Sequence, residues 1–302
     1  MRNGREAGVQ LAFPPSVVAS VKAVACELPA QLELPFSRFS LEEIRQYVID
    51  KRIVESIGST TLWEWLHEDG IRPWTHRTWI FPRDPEFEPK AARVLDLYGR
   101  CWEGKPLSKG DFVISADEKT SIQARQRIHP RTPPAPRQPS RVEFEYERMG
   151  AIAYLAALDV HRAHVHGRCD TTTGIEPFGK LVAQVMEQEP YKSADRVFWI
   201  VDNGSSHRGA TACQRLREAW PNLILVHTPV HASWLNQIEI FFSILQRKVL
   251  TPNHFDSLER LEQTILAFQQ RFSKLAQPFA WKFTRDDLKL WLSKLSAFPI
   301  AA

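Results

Sequence analysis

Five consecutive apolar residues, Val197-Phe198-Trp199-Ile200-Val201, run into a single carboxylate, Asp202, and then into the turn-forming string Asn203-Gly204-Ser205-Ser206-His207. A β-branched and aromatic run with no polar alternation reads as a strand covered on both faces, as in an open α/β sheet. Asp202 then sits at the carboxyl end of a buried strand, the rim where such sheets bind their ligands. Further on, Trp234, Leu235, Ile238, Phe241, Phe242, Leu245 and Val249 recur at helical spacing. That pattern predicts an amphipathic helix over 234–250, with Glu239 standing among its apolar residues near the start.

With 302 residues, 43% of them hydrophobic, the chain can bury a full core and has room for one large or two moderate domains. Its formal net charge of +4 is compatible with a nucleic-acid partner without requiring one. Cys26, Cys101, Cys169 and Cys213 lie far apart without a CxxC pair, which argues for a reducing compartment and against structural zinc. No membrane-length apolar run or signal peptide is evident, so a cytoplasmic protein is expected, with no membrane partner. Neither GxGxxG nor GxxxxGK[ST] occurs, which excludes the common dinucleotide and P-loop sites.

From the amino terminus, a helix is expected over 16–28, stopping before Pro29. Ser40 and Glu43 form a capping box that opens a second helix, with Leu41, Ile44, Tyr47 and Val48 on one face. A third follows Ser59, the expected N-cap, and stops at Gly70. Short helices joined by a Gly-containing turn fit a helix-turn-helix, whose second helix would present Thr60, Thr61, Trp63, Glu64 and His67 to a DNA groove. A plain helical bundle fits the same pattern. Residues 1–99 hold twelve Lys/Arg against fourteen Asp/Glu, so phosphate contacts would fall to local groups such as Arg72, His76 and Arg77.

Residues 81–110 read as a charged linker with one helix over 89–98. A strand over 111–116 then ends at Asp117-Glu118-Lys119. The loop-rich stretch 121–148 mixes five prolines with Arg125, Arg127, Arg131, Arg137 and Arg141, an extended segment suited to phosphate oxygens or to a surface loop. Beyond it the chain predicts strands over 150–159 and 163–170 as a hairpin, a helix over 177–189, the strand 197–201, a helix over 208–220, a strand over 222–227, the Glu239 helix, and terminal helices over 256–274 and 284–297.

If the strands ending in Asp117 and Asp202 are neighbours, their carboxylates meet at one rim, and Glu239 can join them. Three carboxylates on rigid elements suit hard Mg²⁺ or Mn²⁺ ions, and two such ions can drive a phosphodiester displacement. Taken singly, each acid is better read as an ordinary turn residue or a solvated one.

Three blocks together resemble the DDE-type transposases of the Tc/mariner superfamily, in particular its bacterial insertion-sequence branch: Asp117-Glu118-Lys119-Thr120, Val201-Asp202-Asn203 with His207, and Leu235-Asn236-Gln237-Ile238-Glu239. Asp84-Pro85-Glu86-Phe87-Glu88 with Lys90-Ala91-Ala92 resembles the linker of that branch. The resemblance runs from about Ser16 to Asp287. It implies an α/β fold in which an RNase H-like core, a mixed five-stranded sheet with flanking helices, follows a helix-turn-helix domain. The expected layout is a DNA-binding region at 1–80, a linker at 81–110, the catalytic core at 111–255 and carboxyl-terminal helices at 256–302. Asp117, Asp202 and Glu239 would be the catalytic metal ligands for a pair of Mg²⁺ or Mn²⁺ ions, with Asn203, His207 and Asn236 supporting them. DNA would be met by Thr60, Thr61, Trp63, His67, Arg72, Arg77, Arg125, Arg127 and Arg131. The activity implied is hydrolysis at transposon ends and strand transfer into target DNA, with a TA target preference, by a homodimer or higher oligomer. A non-catalytic DNA-binding remnant and an RNase H-like nuclease without strand transfer are the alternatives. Thirty-six residues separate Asp202 from Glu239 where the family has thirty-four, and Gln237 stands where its pattern has proline. The family commonly carries two helix-turn-helix units, so an amino-terminal part of the recognition region is expected to be missing.

Overall fold

The computed structural model describes residues 13–76, 82–204 and 210–296, which fall into two compact units divided between Ile80 and Phe81. The first is helical: α1 (Pro15–Ala25), α2 (Leu41–Asp50) and α3 (Ser59–Glu68). Val21, Ile44, Val48, Leu62 and Leu66 are fully buried between them. The expected capping box is present, with Ser40 Oγ accepting the Glu43 N–H and the Glu43 carboxylate accepting the Ser40 N–H. Ser59 is not the N-cap of α3: the helix starts at Ser59 itself, with Gly58 in the cap position.

The second unit is built on a five-stranded sheet: β3 (Asp111–Gln126), β4 (Glu147–Asp159), β5 (His164–Asp170), β6 (Arg196–Val201) and β7 (Leu223–His227). Ahead of it come α4 (Phe87–Tyr98) and a two-residue ribbon of β1 (Cys101–Trp102) with β2 (Lys105–Pro106). The strand order is β5-β4-β3-β6-β7. The β3, β4 and β5 pairs are antiparallel, while β6 runs parallel to both β3 and β7.

The apolar run at 197–201 divides by the period of two that a strand imposes. Val197, Trp199 and Val201 face one core with Phe178, Leu181, Val182 and Val185 of α5 (Ile175–Met186) and Leu216 of α6 (Ala210–Ala219). Phe198 and Ile200 face the other, with Ala91, Val94, Leu95 and Leu97 of α4 and Leu288 of α9 (Arg285–Ser296). On that second face, over β3 and β4, lie Ile238, Phe241, Phe242 and Leu245 of α7 (Ile238–Lys248) and Leu261 and Ile265 of α8 (Leu258–Leu275).

Three expectations change. The strand expected to end at residue 116 continues to Gln126, because a bulge absorbs the polar segment. Lys119 pairs with Tyr154 and Ile122 with Ile152, and Ser121 takes a φ of 55°. The extra residue returns Ile122 and Ala124 to the α7 side of the sheet. Residues 82–110 are not a bare linker, since the buried face of α4 covers β6 and β7. The helix expected from 234 begins at Ile238, after a single 3₁₀ turn at Ser233–Leu235.

Candidate active site

Three elements deliver one carboxylate each. Residues of β3 and β6 pair in parallel from Asp111 with Arg196 to Ser115 with Ile200, and carrying the register on by two sets Asp117 beside Asp202. Asp117 lies within a continuous strand rather than at its end, on the face toward α7, and is buried. Asp202 is half-buried where β6 stops, its Oδ1 accepting the Gly204 N–H at 2.6 Å. Glu239 is exposed in the first turn of α7.

The three charges act on one another. Burial first, then the Asp202 carboxylate and, more weakly, Glu239, push the Asp117 pKa up to about 7, against the Glu118 N–H it accepts. Glu239 is also raised, by the protein packed around its carboxyl group and by Asp202, while the Lys119 ammonium pulls it down. Among the described residues no three His, Cys, Asp or Glu side chains are drawn together into a ready metal cage. The trio is therefore an open, mutually repelling set of hard oxygen donors. That chemistry fits an oxygen-seeking divalent cation, which would relieve the repulsion and favour the ionised forms.

A buried polar network holds the start of α7 against β3. Ser115 Oγ donates to Asn236 Oδ1 and accepts the Ile238 N–H at 2.8 Å. Asn236 Nδ2 donates to the Ala116 carbonyl at 2.9 Å and reaches Asp117 Oδ2 at 3.4 Å. From α4, the Tyr98 hydroxyl donates to the Leu235 carbonyl at 2.6 Å and accepts the Gln237 N–H at 3.2 Å. The loop before it is tied too: buried Asp84 accepts the Val230 N–H at 3.0 Å and pairs with Lys90. That loop, with Asp202 and Asn203, lines a cavity of about 340 Å³.

Of the supporting residues, Asn236 touches Asp117 directly, whereas Asn203 turns its amide to the Thr228 carbonyl at 2.6 Å. His207 and Arg77 lie outside the described residues. Arg125 and Arg127 stack on Tyr146, and with Lys119, whose ammonium acts on Glu239, they line a groove of about 510 Å³. Arg131 donates to Ser140 Oγ out on the loop. In the helical unit Thr60, Trp63, His67 and Arg72 are exposed and Thr61 half-buried, with the Trp63 and His67 rings stacked 4.5 Å apart. Sequence reasoning missed Ser115 and Tyr98, because a lone hydroxyl on a helix or strand carries no pattern until the fold supplies its partner, and it read Asp84 only as part of a linker.

Among solved structures, the chain is similar to the mariner Mos1 paired-end complex with Mg, at a TM-score of 0.55 and 12% identity over 98% of this chain and 83% of that one. It is similar also to the Mos1 transposase paired-end complex with left transposon end, at a TM-score of 0.53 and 13% identity over 98% and 82%. Identity that low speaks for the fold, and the mixed sheet with helices on both faces is the RNase H-like core expected from the sequence. No curated protein matches in sequence. Among the described residues no helix is long and apolar enough to cross a membrane. Residues 113–262, which carry Asp117, Asp202 and Glu239, match the family model described as DDE superfamily endonuclease.

Proposed function

We propose that the chain is a DNA transposase of the Tc/mariner type, within its bacterial insertion-sequence branch, acting in the cytoplasm as a dimer or higher oligomer on paired DNA ends. The observation that carries the reading is the electrostatic coupling of Asp117, Asp202 and Glu239, from β3, the end of β6 and the start of α7, within the stretch that matches the DDE superfamily endonuclease model.

In this reading Asp117, Asp202 and Glu239 hold two Mg²⁺ or Mn²⁺ ions, which when bound activate the attacking oxygen and stabilise the leaving one. Water attacks phosphorus at the element's end, and the bond to the 3′ oxygen breaks to leave a 3′-hydroxyl. That hydroxyl next attacks a phosphodiester of the target, and a target strand is joined as its own 3′ oxygen leaves. Asn236 orients Asp117 through Oδ2. Lys119 offers a cation beside Glu239 where phosphate charge must be met. Arg125, Arg127 and Arg131 then lie along DNA or a second subunit. Residues 1–80 serve as the helix-turn-helix region, meeting DNA through Thr60, Thr61, Trp63, His67, Arg72 and Arg77. Residues 111–255 serve as the catalytic core and 256–302 as its carboxyl-terminal helices. A TA target preference is the family's and is proposed here on the same ground.

The test is metal-dependent nicking and joining of labelled duplex ends from the DNA flanking the gene, for wild type beside Asp202→Ala. Both activities should appear in the wild type and fall about 10²–10³-fold in the variant, as expected when a group stabilising charge in the transition state is removed. Nicking without joining would replace the proposal with a plain nuclease. Binding with neither activity would leave a DNA-binding remnant.

A further inference from the structure

Glu239 stands on the surface end of a helix, yet its partners stand on the sheet, so its position depends on how the start of α7 is fixed. No strand or helix hydrogen bond runs from β3 to α7; the junction is made by side chains. Three backbone groups just ahead of Glu239 need partners in a dry place: the Leu235 carbonyl, the Gln237 N–H and the Ile238 N–H. Leu235, Asn236, Gln237 and Ile238 are all buried. Ser115, two residues before Asp117 on the same strand face, takes the Ile238 N–H. The Tyr98 hydroxyl serves the other two, donating to Leu235 and accepting from Gln237, with Ser115 alongside. Tyr98 lies in α4, before residue 113 where the matched endonuclease domain begins.

Residue 237 sets how many backbone groups this junction must serve. A proline there, as in the pattern the sequence resembles, has no N–H to place. Gln237 brings one into a buried junction, where leaving it unmet would be costly. Tyr98 meets it.

We propose that Tyr98 is a positioning residue for Glu239: its hydroxyl fixes where α7 begins, and so where the third carboxylate stands against Asp117 and Asp202. The inference rests on the reading of those acids as a metal site. In the Tyr98→Phe protein the ring and its contact with Trp281, at 5.1 Å, stay while both hydrogen bonds go. The first turn of α7 is then free to shift, and the geometry at Glu239 loosens without any change at the Asp117–Asp202 pair.

The experiment measures Mn²⁺ binding by electron paramagnetic resonance on the full chain, with thermal unfolding alongside, for wild type, Tyr98→Phe, Asp202→Ala and the core variant Val185→Ala. Val185 lies in the core on the opposite face of the sheet and serves as a control for lost stability alone. Tyr98→Phe should weaken Mn²⁺ about tenfold and lower kcat for nicking by a similar factor, with metal-free DNA binding unchanged. Val185→Ala should lose stability and keep its Mn²⁺ affinity. Ser115→Ala, which frees the Ile238 N–H and also releases Asn236 beside Asp117, should weaken Mn²⁺ at least as much; if Tyr98→Phe does not fold, wild-type Mn²⁺ affinity in Ser115→Ala would show that the start of α7 does not set the site and would overturn the inference. Loss of stability in Tyr98→Phe with wild-type Mn²⁺ affinity would overturn the inference while leaving the metal site standing. Wild type binding Mn²⁺ no better than Asp202→Ala would overturn the metal site itself and the inference with it.

Discussion

At the scale of single residues, the site stores electrostatic cost that the protein must bear without a cation. Asp117 is buried beside two other acids, and its pKa is pushed up to about 7. A folded-state pKa above the unfolded value of about 3.9 means stability that is present under acid and lost as pH rises through the folded pKa. Each unit is worth about 1.4 kcal/mol, so the metal-free protein should lose a few kcal/mol from this group between about pH 4 and pH 7. Asp117→Asn should therefore stabilise the metal-free chain at pH 8, by about 1–3 kcal/mol, and should stop doing so below about pH 4. Urea unfolding in EDTA at the two pH values measures this. An equal effect at both would show that the cost of the buried charge, from burial first and from the neighbouring acids, is not what burdens the native residue. Asp111 behaves in the opposite sense. The Arg196 guanidinium beside it holds its carboxyl below the usual range, so that contribution is present at neutral pH and fades as pH falls.

At the scale of elements, the pairing of β3 with β6 decides whether Asp117 and Asp202 meet at all, since one step of slip turns a side chain to the other face. The two strands are tied at their first residues, where Arg196 grips Asp111 through two bonds of 2.8 and 2.7 Å. Asp111 is shut off from water and Arg196 partly open to it. Arg196→Met should then cost about 2 kcal/mol at pH 7, less than the about 3–5 kcal/mol for a fully buried pair because Arg196 is partly open to water, and less again near pH 3. Chemical denaturation at both pH values checks the size and the direction. In the helical unit, Ser40→Ala removes the cap of α2 and should cost about 1 kcal/mol. In a unit of that size the loss lowers its melting midpoint by about 4–8 °C. Calorimetry on the full chain should find the shift in the transition of that unit alone.

At the scale of the whole molecule, the boundaries of the sequence pattern and those of the folded unit differ. The matched stretch starts at residue 113, but Ala91, Val94 and Leu97 of α4 are fully buried against the sheet, and Tyr98 and Asp84 brace the Glu239 loop. Fully burying a side chain such as Val94, Leu97 or their neighbours Phe87 and Leu95 is worth about 1.5–3 kcal/mol, comparable in sum to the entire stability of a domain. A fragment of residues 113–262 should therefore be insoluble or molten, while residues 82–302 should unfold cooperatively; near-ultraviolet circular dichroism distinguishes them. A cooperative 113–262 fragment would show that α4 is dispensable to the core. What the amino-acid sequence determined without help is the local chemistry: the strand at 197–201, the capping box at Ser40, and the apolar helical stripe through Ile238, Phe241, Phe242 and Leu245. These are legible because period, capping and turn preference act between near neighbours. The continuation of β3 through its bulge, the true start of α7 and the absorption of 82–98 into the core were decided only in the tertiary structure. Each depends on groups far apart in the chain, β3 on β4, Leu235 on Tyr98 and Val230 on Asp84. A buried carbonyl or N–H takes whichever partner the packing brings, and no spacing in the sequence names it.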